Sequence, residues 1–319
     1  MITFLHNAIN FSTVFLFGST GETLTEKSGH LNLGIPGTMC VGALGGVVGE
    51  YLYMQSISNY KDITYMCVII PIIFALLFAG FMGLIYSFMT VTLRCNQNVT
   101  GLTITTFGVG LANFIGSGID QRFFSVASNK FFNKGFIGGT EMNWFEELFL
   151  SYGTLVYLSF ALAIIFAVIL KKTRLGLNLR AVGENPGTAD AAGINVTAYK
   201  YCFTILGSAI AGLGGLFYIM NYVGGSWQYA IDAFGWLAVA LVIFSIWKPD
   251  WGILGAVIFG ALYIMPNYIN VGTQSYYKEI IKMAPFVVTI IVLIITSMTN
   301  KRETQPPAAL GLSYFREER

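Results

Sequence analysis

The residues best able to do chemistry in this chain are a few polar side chains set in or beside long apolar runs. Asn113 and Asp232 lie within such runs, and Asn32 and Asn98 lie nearer to the ends of theirs. An ionised Asp at the middle of a bilayer costs about 2.5–3.5 kcal/mol, so such residues usually face a cavity or a partner. Asp232 follows the small residues 224–226, which favours a place near the outer surface over a buried relay. We take as the candidate lining of a solute path Asn32, Gly34, Gly37, Asn98, Asn113 and Asp232.

Signals for bond-making chemistry are absent from the sequence. It contains no G-x-x-x-x-G-K-[ST] phosphate-binding loop, no nucleophile elbow and no pair of intramembrane carboxylates. The two histidines, His6 and His30, and the four scattered cysteines show no metal-ligand spacing, and the cysteines are typical of small core residues. The sequence therefore predicts neither an enzyme nor a bound cofactor or metal.

Composition indicates the environment in which these residues work. Of 319 residues, 55% are hydrophobic and only 11% are charged, and the mean hydropathy is +0.66. Soluble domains carry about 25% charged residues, so this chain is expected to be an integral membrane protein in contact with lipids. Its net charge of +2 is too small to indicate a nucleic-acid partner.

The elements that position the polar residues are expected to be membrane-spanning helices. Crossing the hydrocarbon core takes roughly 20 helical residues. We therefore predict an all-α, polytopic bundle forming a single domain over residues 1–319, with about nine spans and a range of eight to ten. The spans lie at about 3–20, 34–54, 63–93, 98–118, 148–170, 199–222, 226–247, 251–270 and 280–299. The third is long enough to tilt or to bend near Pro71, and residues 31–37 suggest an interrupted start to the second.

Basic residues predict the orientation of the spans. The insert at 171–198 has four cations near its start, which places it in the cytoplasm. Counting spans from there also puts the turn at Arg94, the turn at Lys248 and the tail 300–319 in the cytoplasm. The loop 119–147 and the N-terminus then lie outside.

Within the insert, residues 183–193 predict a short helix of about two turns. Asn185 is a good N-cap, Pro186 suits the first helical turn and Gly193 is a natural stop. An isolated helix of this length is marginal in water, so its own bundle or a partner must hold it. Small side chains such as Ala189 would let another backbone pack closely. The alternative is an ordinary interhelical loop.

Four stretches in the same order resemble one known family. Residues 176–201, GLNLRAVGENPGTADAAGINVTAYKY, closely resemble the cytoplasmic loop of ABC-importer permeases of the branched-chain amino acid, monosaccharide and nucleoside type. Residues 26–37, EKSGHLNLGIPG, are similar to the family's E-K-x-G-x-x-N-x-G-x-x-G pattern at the second span. Residues 96–101, NQNVTG, match its N-Q-x-V-x-G turn, and 306–311, PPAALG, resemble the end of the nucleoside and simple-sugar branch. The departures are His30, Pro36 and Asp232.

The resemblance implies a permease of the second importer class in a bacterial cell membrane. Two such subunits, often two different ones, enclose the path, a separate ATPase supplies energy, and an extracellular substrate-binding lipoprotein delivers the substrate. A nucleoside or related purine is the expected substrate, with simple sugars and branched-chain amino acids as alternatives. The residues expected to couple to the ATPase are Gly183, Glu184, Asn185, Pro186, Ala189, Asp190 and Gly193. A self-contained secondary transporter is the other alternative, and it would need intramembrane ionisable groups, for which only Asp232 is a candidate.

Overall fold

The computed structural model describes residues 2–57, 63–121, 124–135, 143–268, 280–299 and 305–315. Within these residues the regular secondary structure is entirely helical. The α-helices are α1 (Ile2–Lys27), α2 (Ile35–Gln55), α3 (Met66–Ser87), α4 (Gln97–Gly116), α5 (Phe124–Ala127), α6 (Trp144–Phe149), α7 (Thr154–Lys172), α8 (Arg174–Glu184), α9 (Pro186–Ala191), α10 (Val196–Phe217), α11 (Ile231–Phe244), α12 (Pro249–Ile264) and α13 (Ala284–Thr299).

Each of the nine stretches predicted to span the membrane contains one of these helices. In the described parts of the chain, six helices are long and apolar enough to cross a membrane by length and composition, and two shorter apolar helices cover 231–244 and 280–295. The long third span is helical through Pro71, and its last turn, Phe88–Thr92, is a π-helix. The chain is therefore a multi-pass, all-α membrane protein, as the sequence predicts.

Helix α1 is longer and more polar than the first predicted span. It ends at Lys27 rather than near residue 20, and it carries Glu22 and Glu26, which are 0% and 3% exposed. The indole N–H of Trp247 donates a hydrogen bond to the Glu26 carboxylate. Glu50 is also buried, in α2. Glu22 and Glu26 are thus two carboxyl residues about one helical turn apart that the bundle encloses, since α1 is buried along most of its length.

Glycines bring the central helices into backbone contact. A Cβ added at Gly42 of α2 would lie 2.3 Å from the Cα of Gly212 on α10, and one at Gly21 of α1 would lie 2.2 Å from the carbonyl oxygen of Gly207. Small residues allow such close approach in lipid, where packing rather than hydrophobic burial holds helices together. These glycines therefore form packing surfaces between α1, α2 and α10.

The two ends of α1 define the two faces of the bundle. Near its start, the Nδ1 of His6 is 3.0 Å from the carbonyl oxygen of Glu147. Near its end, the carbonyl oxygen of Lys27 is 2.3 Å from where a Cβ on Gly183 would lie. We call this second end the basic face; it gathers residues 27–34, 92–97, 171–199, 245–250 and 305–315. The loops predicted to share one side of the membrane therefore lie together.

Candidate functional site

The short helix α9 lies on the basic face and is capped at both ends. The Asn185 side chain accepts a hydrogen bond from the backbone N–H of Thr188 at 3.0 Å, and Pro186 occupies the first helical turn. At the other end Gly193, with φ of +83°, donates to the carbonyl of Asp190, and Ile194 donates to that of Ala189, both at 3.0 Å. This pair of bonds is a Schellman motif, which satisfies the carbonyls of the last turn. The N-cap at Asn185 and the stop at Gly193 are as the sequence predicts.

Residues 183–193 do not form one helix, however. Gly183 and Glu184 end α8, an 11-residue helix that the sequence reading missed. The sequence did carry a signal for its start, because Thr is a favoured N-cap residue. In the structure the Thr173 hydroxyl accepts a hydrogen bond from the N–H of Gly176 as an N-cap. Pro186 explains the break: the residue before a proline is pushed out of the helical region, and Asn185 has φ −151° and ψ 92°.

The two faces of α9 differ sharply in exposure. Ala189 is 2% exposed and packs against Val182 of α8 and Val196 of α10. The outward face consists of exposed, short side chains: Thr188, Ala191 and Ala192. Ala189 therefore anchors α9 to its own bundle, while Ala191 and Ala192 leave a nearly bare backbone facing away from it.

The tail after α13 also docks on this segment, which the sequence does not reveal. The Tyr314 hydroxyl donates to the Asp190 carboxylate at 3.0 Å, and the N–H of Ala309 donates to the carbonyl of Gly183 at 3.0 Å. The N–H of Ala308 lies 3.4 Å from a Glu184 carboxylate oxygen. Residues 305–315 therefore bind to both α8 and α9 and hold the two helices together.

The second span starts after an interruption, as predicted. The Asn32 side chain accepts a hydrogen bond from the N–H of Gly34 at 2.9 Å, and α2 begins one residue later. Gly34 has an ordinary φ of −86°. What excludes a side chain at these glycines is space: a Cβ at Gly34 would lie 2.7 Å from the Asn32 Oδ1, and one at Gly37 would lie 2.4 Å from the carbonyl oxygen of Ile104. Asn32, Gly34 and Gly37 are buried and hold α2 against α4.

Asp232 lies in the first turn of α11 and is half-buried. Three residues on, a Cβ at Gly235 would lie 2.4 Å from the Cα of Pro36, so the N-termini of α11 and α2 meet. A helix of 14 residues is about 21 Å long, too short to cross about 30 Å of hydrocarbon. Interrupted spans whose positive N-termini converge are typical of polar-solute sites in transporters.

The remaining path candidates, Asn98 and Asn113, lie at opposite ends of α4, about 22 Å apart by helical rise. Asn98 is exposed in the first turn. The side-chain oxygen of Asn113 accepts a hydrogen bond from the indole N–H of Trp227 at 3.1 Å. Between them Thr103 and Thr106 are exposed at helical spacing. The six path candidates therefore do not form one cluster; three fix the start of α2, and three lie on α4 and α11.

His30 adds a titratable group at the turn between α1 and α2. It is buried, and its Nδ1 is 2.8 Å from the Thr204 hydroxyl. Burial lowers the pKa of His30 well below its ordinary value, and the positive charge of Lys200 lowers that pKa further. The imidazole is therefore neutral at pH 7, and it lies against α10 about two turns after that helix begins.

Comparison with known proteins identifies the family of this chain. The family model described as "Branched-chain amino acid transport system / permease component" matches residues 4–295. The chain is 29% identical to a putative glucose ABC transporter permease, TsgC13, of Haloferax volcanii, over 98% of this chain and 97% of that protein. It is 29% identical to the nucleoside ABC transporter permease NupC of Lactococcus lactis, over 90% of each.

The guanosine ABC transporter permease NupQ of Bacillus subtilis is 27% identical, over 97% of this chain and 95% of the relative. No solved structure matches the chain. Since the family model covers most of the bundle, from the start of α1 into α13, the chain belongs to the family of permease components of branched-chain amino acid transport systems.

Proposed function

We propose that this chain is one membrane subunit of an ATP-driven importer of nucleosides in a bacterial cell membrane. A separate ATPase binds α9, and the basic face is cytoplasmic. The observation that carries the coupling role is the outward face of α9, where Thr188, Ala191 and Ala192 are exposed on a helix capped at both ends. The nucleoside assignment rests on similarity to relatives named for nucleosides; the glucose permease named above keeps simple sugars as the alternative.

The way in which the protein holds α9 supports the proposed coupling role. A six-residue helix is far too short to be stable alone, so its caps, the buried Ala189 and the tail must hold it as a rigid unit. A partner that moves α9 therefore moves α8 and α10 with it. Gly212 of α10 contacts the backbone of α2 at Gly42, so a displacement of α9 is transmitted through α10 to the second span.

The solute path, in this proposal, runs along the exposed side of α4 toward the converging N-termini of α2 and α11. Thr106 and Asn113 supply polar groups, and Phe107 and Phe114, which are 56% and 82% exposed, supply aromatic faces for a base. A second permease chain covers this side, and an extracellular binding lipoprotein delivers the nucleoside to the opposite face.

The buried carboxyl groups of α1 and α2 meet one requirement of a secondary transporter, since intramembrane ionisable groups often carry ions. Membership of the permease family favours the ATP-driven alternative. Dissipating the proton gradient at constant ATP separates the two: uptake by an ATP-driven importer persists, and uptake by a proton-coupled carrier stops.

Ala192→Trp tests the coupling role. The new side chain points away from the bundle, so the permease should insert and fold normally while the ATPase no longer co-purifies and uptake is lost. Ala192→Ser is the matched control, because a hydroxyl adds little bulk, and it should keep both. Normal uptake with normal co-purification in Ala192→Trp would leave α9 as a plain interhelical loop.

A further inference from the structure

A cavity of about 370 Å³ opens beside α9 on the basic face. Its lining includes two cationic residues, Arg94 and Lys200, and the neutral imidazole of His30. Asp190 of α9 and Gly193, which follows α9, also line it. This cavity has no role in the nucleoside transport or the ATPase coupling proposed above.

Lys200 is a buried cation in the lining of the cavity. It is 3% exposed, yet it makes no hydrogen bond or ion pair within the described part of the chain. Protein encloses most of this side chain, so its ammonium group meets solvent through the cavity. The side chain lines the cavity, so an anion placed there would supply the missing partner.

The first turn of α10 adds uncharged donors. The Asn195 side chain accepts the N–H of Ala198 at 3.0 Å, which leaves the N–H groups of Val196 and Thr197 without an acceptor inside the helix. Both residues line the cavity. The N-terminus of a 22-residue helix favours negative charge, and its free N–H groups suit the oxygens of an anion.

Among the described residues of the lining, the acidic one, Asp190, already has a hydrogen-bond partner. Asp190 accepts a hydrogen bond from the Tyr314 hydroxyl, so its carboxylate is directed toward the tail. Arg94 also lines the cavity, and its guanidinium carbon lies 4.8 Å from the centre of the Phe315 ring. The cavity thus offers an ammonium, a guanidinium and backbone N–H groups to one anion.

We propose that this cavity binds a phosphate group, carried by a soluble phosphate ester or by a phospholipid headgroup. Phosphate suits the set because several oxygens can accept from Lys200, Arg94 and the α10 N-terminus together. Since Asp190 and Gly193 line the same cavity, a bound phosphate contacts the segment proposed to bind the ATPase.

The test uses the purified full chain in a maltoside detergent, which contains no phosphate, and needs no partner subunit. Its outcome is therefore independent of the transport proposal. Binding of radiolabelled inorganic phosphate is measured by equilibrium dialysis, and the melting temperature is compared in phosphate and in chloride at equal ionic strength. A second arm adds phosphatidylglycerol to the micelles.

We expect saturable phosphate binding by the wild type, weakened at least tenfold in Lys200→Met and in Arg94→Gln. Arg94 is exposed, so its replacement leaves the core packing intact. Lys172→Met, which removes an exposed cation of the same face outside the cavity, should bind like the wild type. A response to phosphatidylglycerol alone assigns the site to a headgroup, and a response to inorganic phosphate assigns it to a soluble ester. No response in either arm, or equal responses in Lys200→Met and Lys172→Met, would overturn the proposal.

Discussion

The contact between α2 and α10 makes a quantitative prediction about Gly42. An alanine Cβ at this position would lie 2.3 Å from the Cα of Gly212. Two carbon atoms prefer about 3.5–4.0 Å, so the helices would have to separate by roughly 1.2–1.7 Å at this point. Overpacking of this kind costs about 1–3 kcal/mol, which exceeds the gain of about 0.5–1 kcal/mol from replacing a helical glycine by alanine. We expect Gly42→Ala to destabilise the permease by about 1–2 kcal/mol.

Gly110 is the matched control for this substitution. It also lies inside a predicted span, in α4, but an added Cβ there meets no atom within 4 Å. Gly110→Ala should therefore be neutral or slightly stabilising. Unfolding of both purified variants by titration with sodium dodecyl sulfate, followed by circular dichroism, measures the difference. Equal stabilities of the two variants would refute the inference that backbone contact between α2 and α10 holds the bundle.

Two further predictions concern the basic face. Because the pKa of His30 is lowered in the fold, the unfolded chain binds more protons below about pH 6.5, so stability should fall as the pH drops through that range. His30→Gln should flatten this part of the melting profile, and identical profiles would contradict it. Tyr314→Phe removes the hydrogen bond to Asp190, worth about 1 kcal/mol, and should speed amide exchange at Ala309, which donates to Gly183. Unchanged exchange would mean that the tail is held without it.

The sequence predicted those parts of the fold that depend on local chemistry. The caps at Asn185 and Gly193 and the position of Pro186 follow from backbone rules that act over a few residues. The interrupted start of the second span was visible in residues 31–37 for the same reason. Apolar length alone placed a helix in every predicted span.

Features that depend on distant neighbours were not predictable. Glu22 and Glu26 seemed to end the first span, because a sequence does not show that a helix is surrounded by protein and can carry charges. Ala189 and Ala192 are the same residue type three positions apart, yet only the fold shows that one is buried and the other exposed. The docking of the tail on Asp190 joins residues 124 positions apart, which no local pattern reveals.

The central claim is that this chain imports nucleosides with energy from a partner ATPase. The most direct measurement is uptake of radiolabelled guanosine into proteoliposomes that contain the permease pair and the ATPase, supplied with the binding lipoprotein. We predict uptake that requires internal ATP, persists without a proton gradient, and is inhibited by unlabelled nucleosides but not by glucose. Inhibition by glucose alone, or uptake that follows the proton gradient without ATP, would contradict the claim.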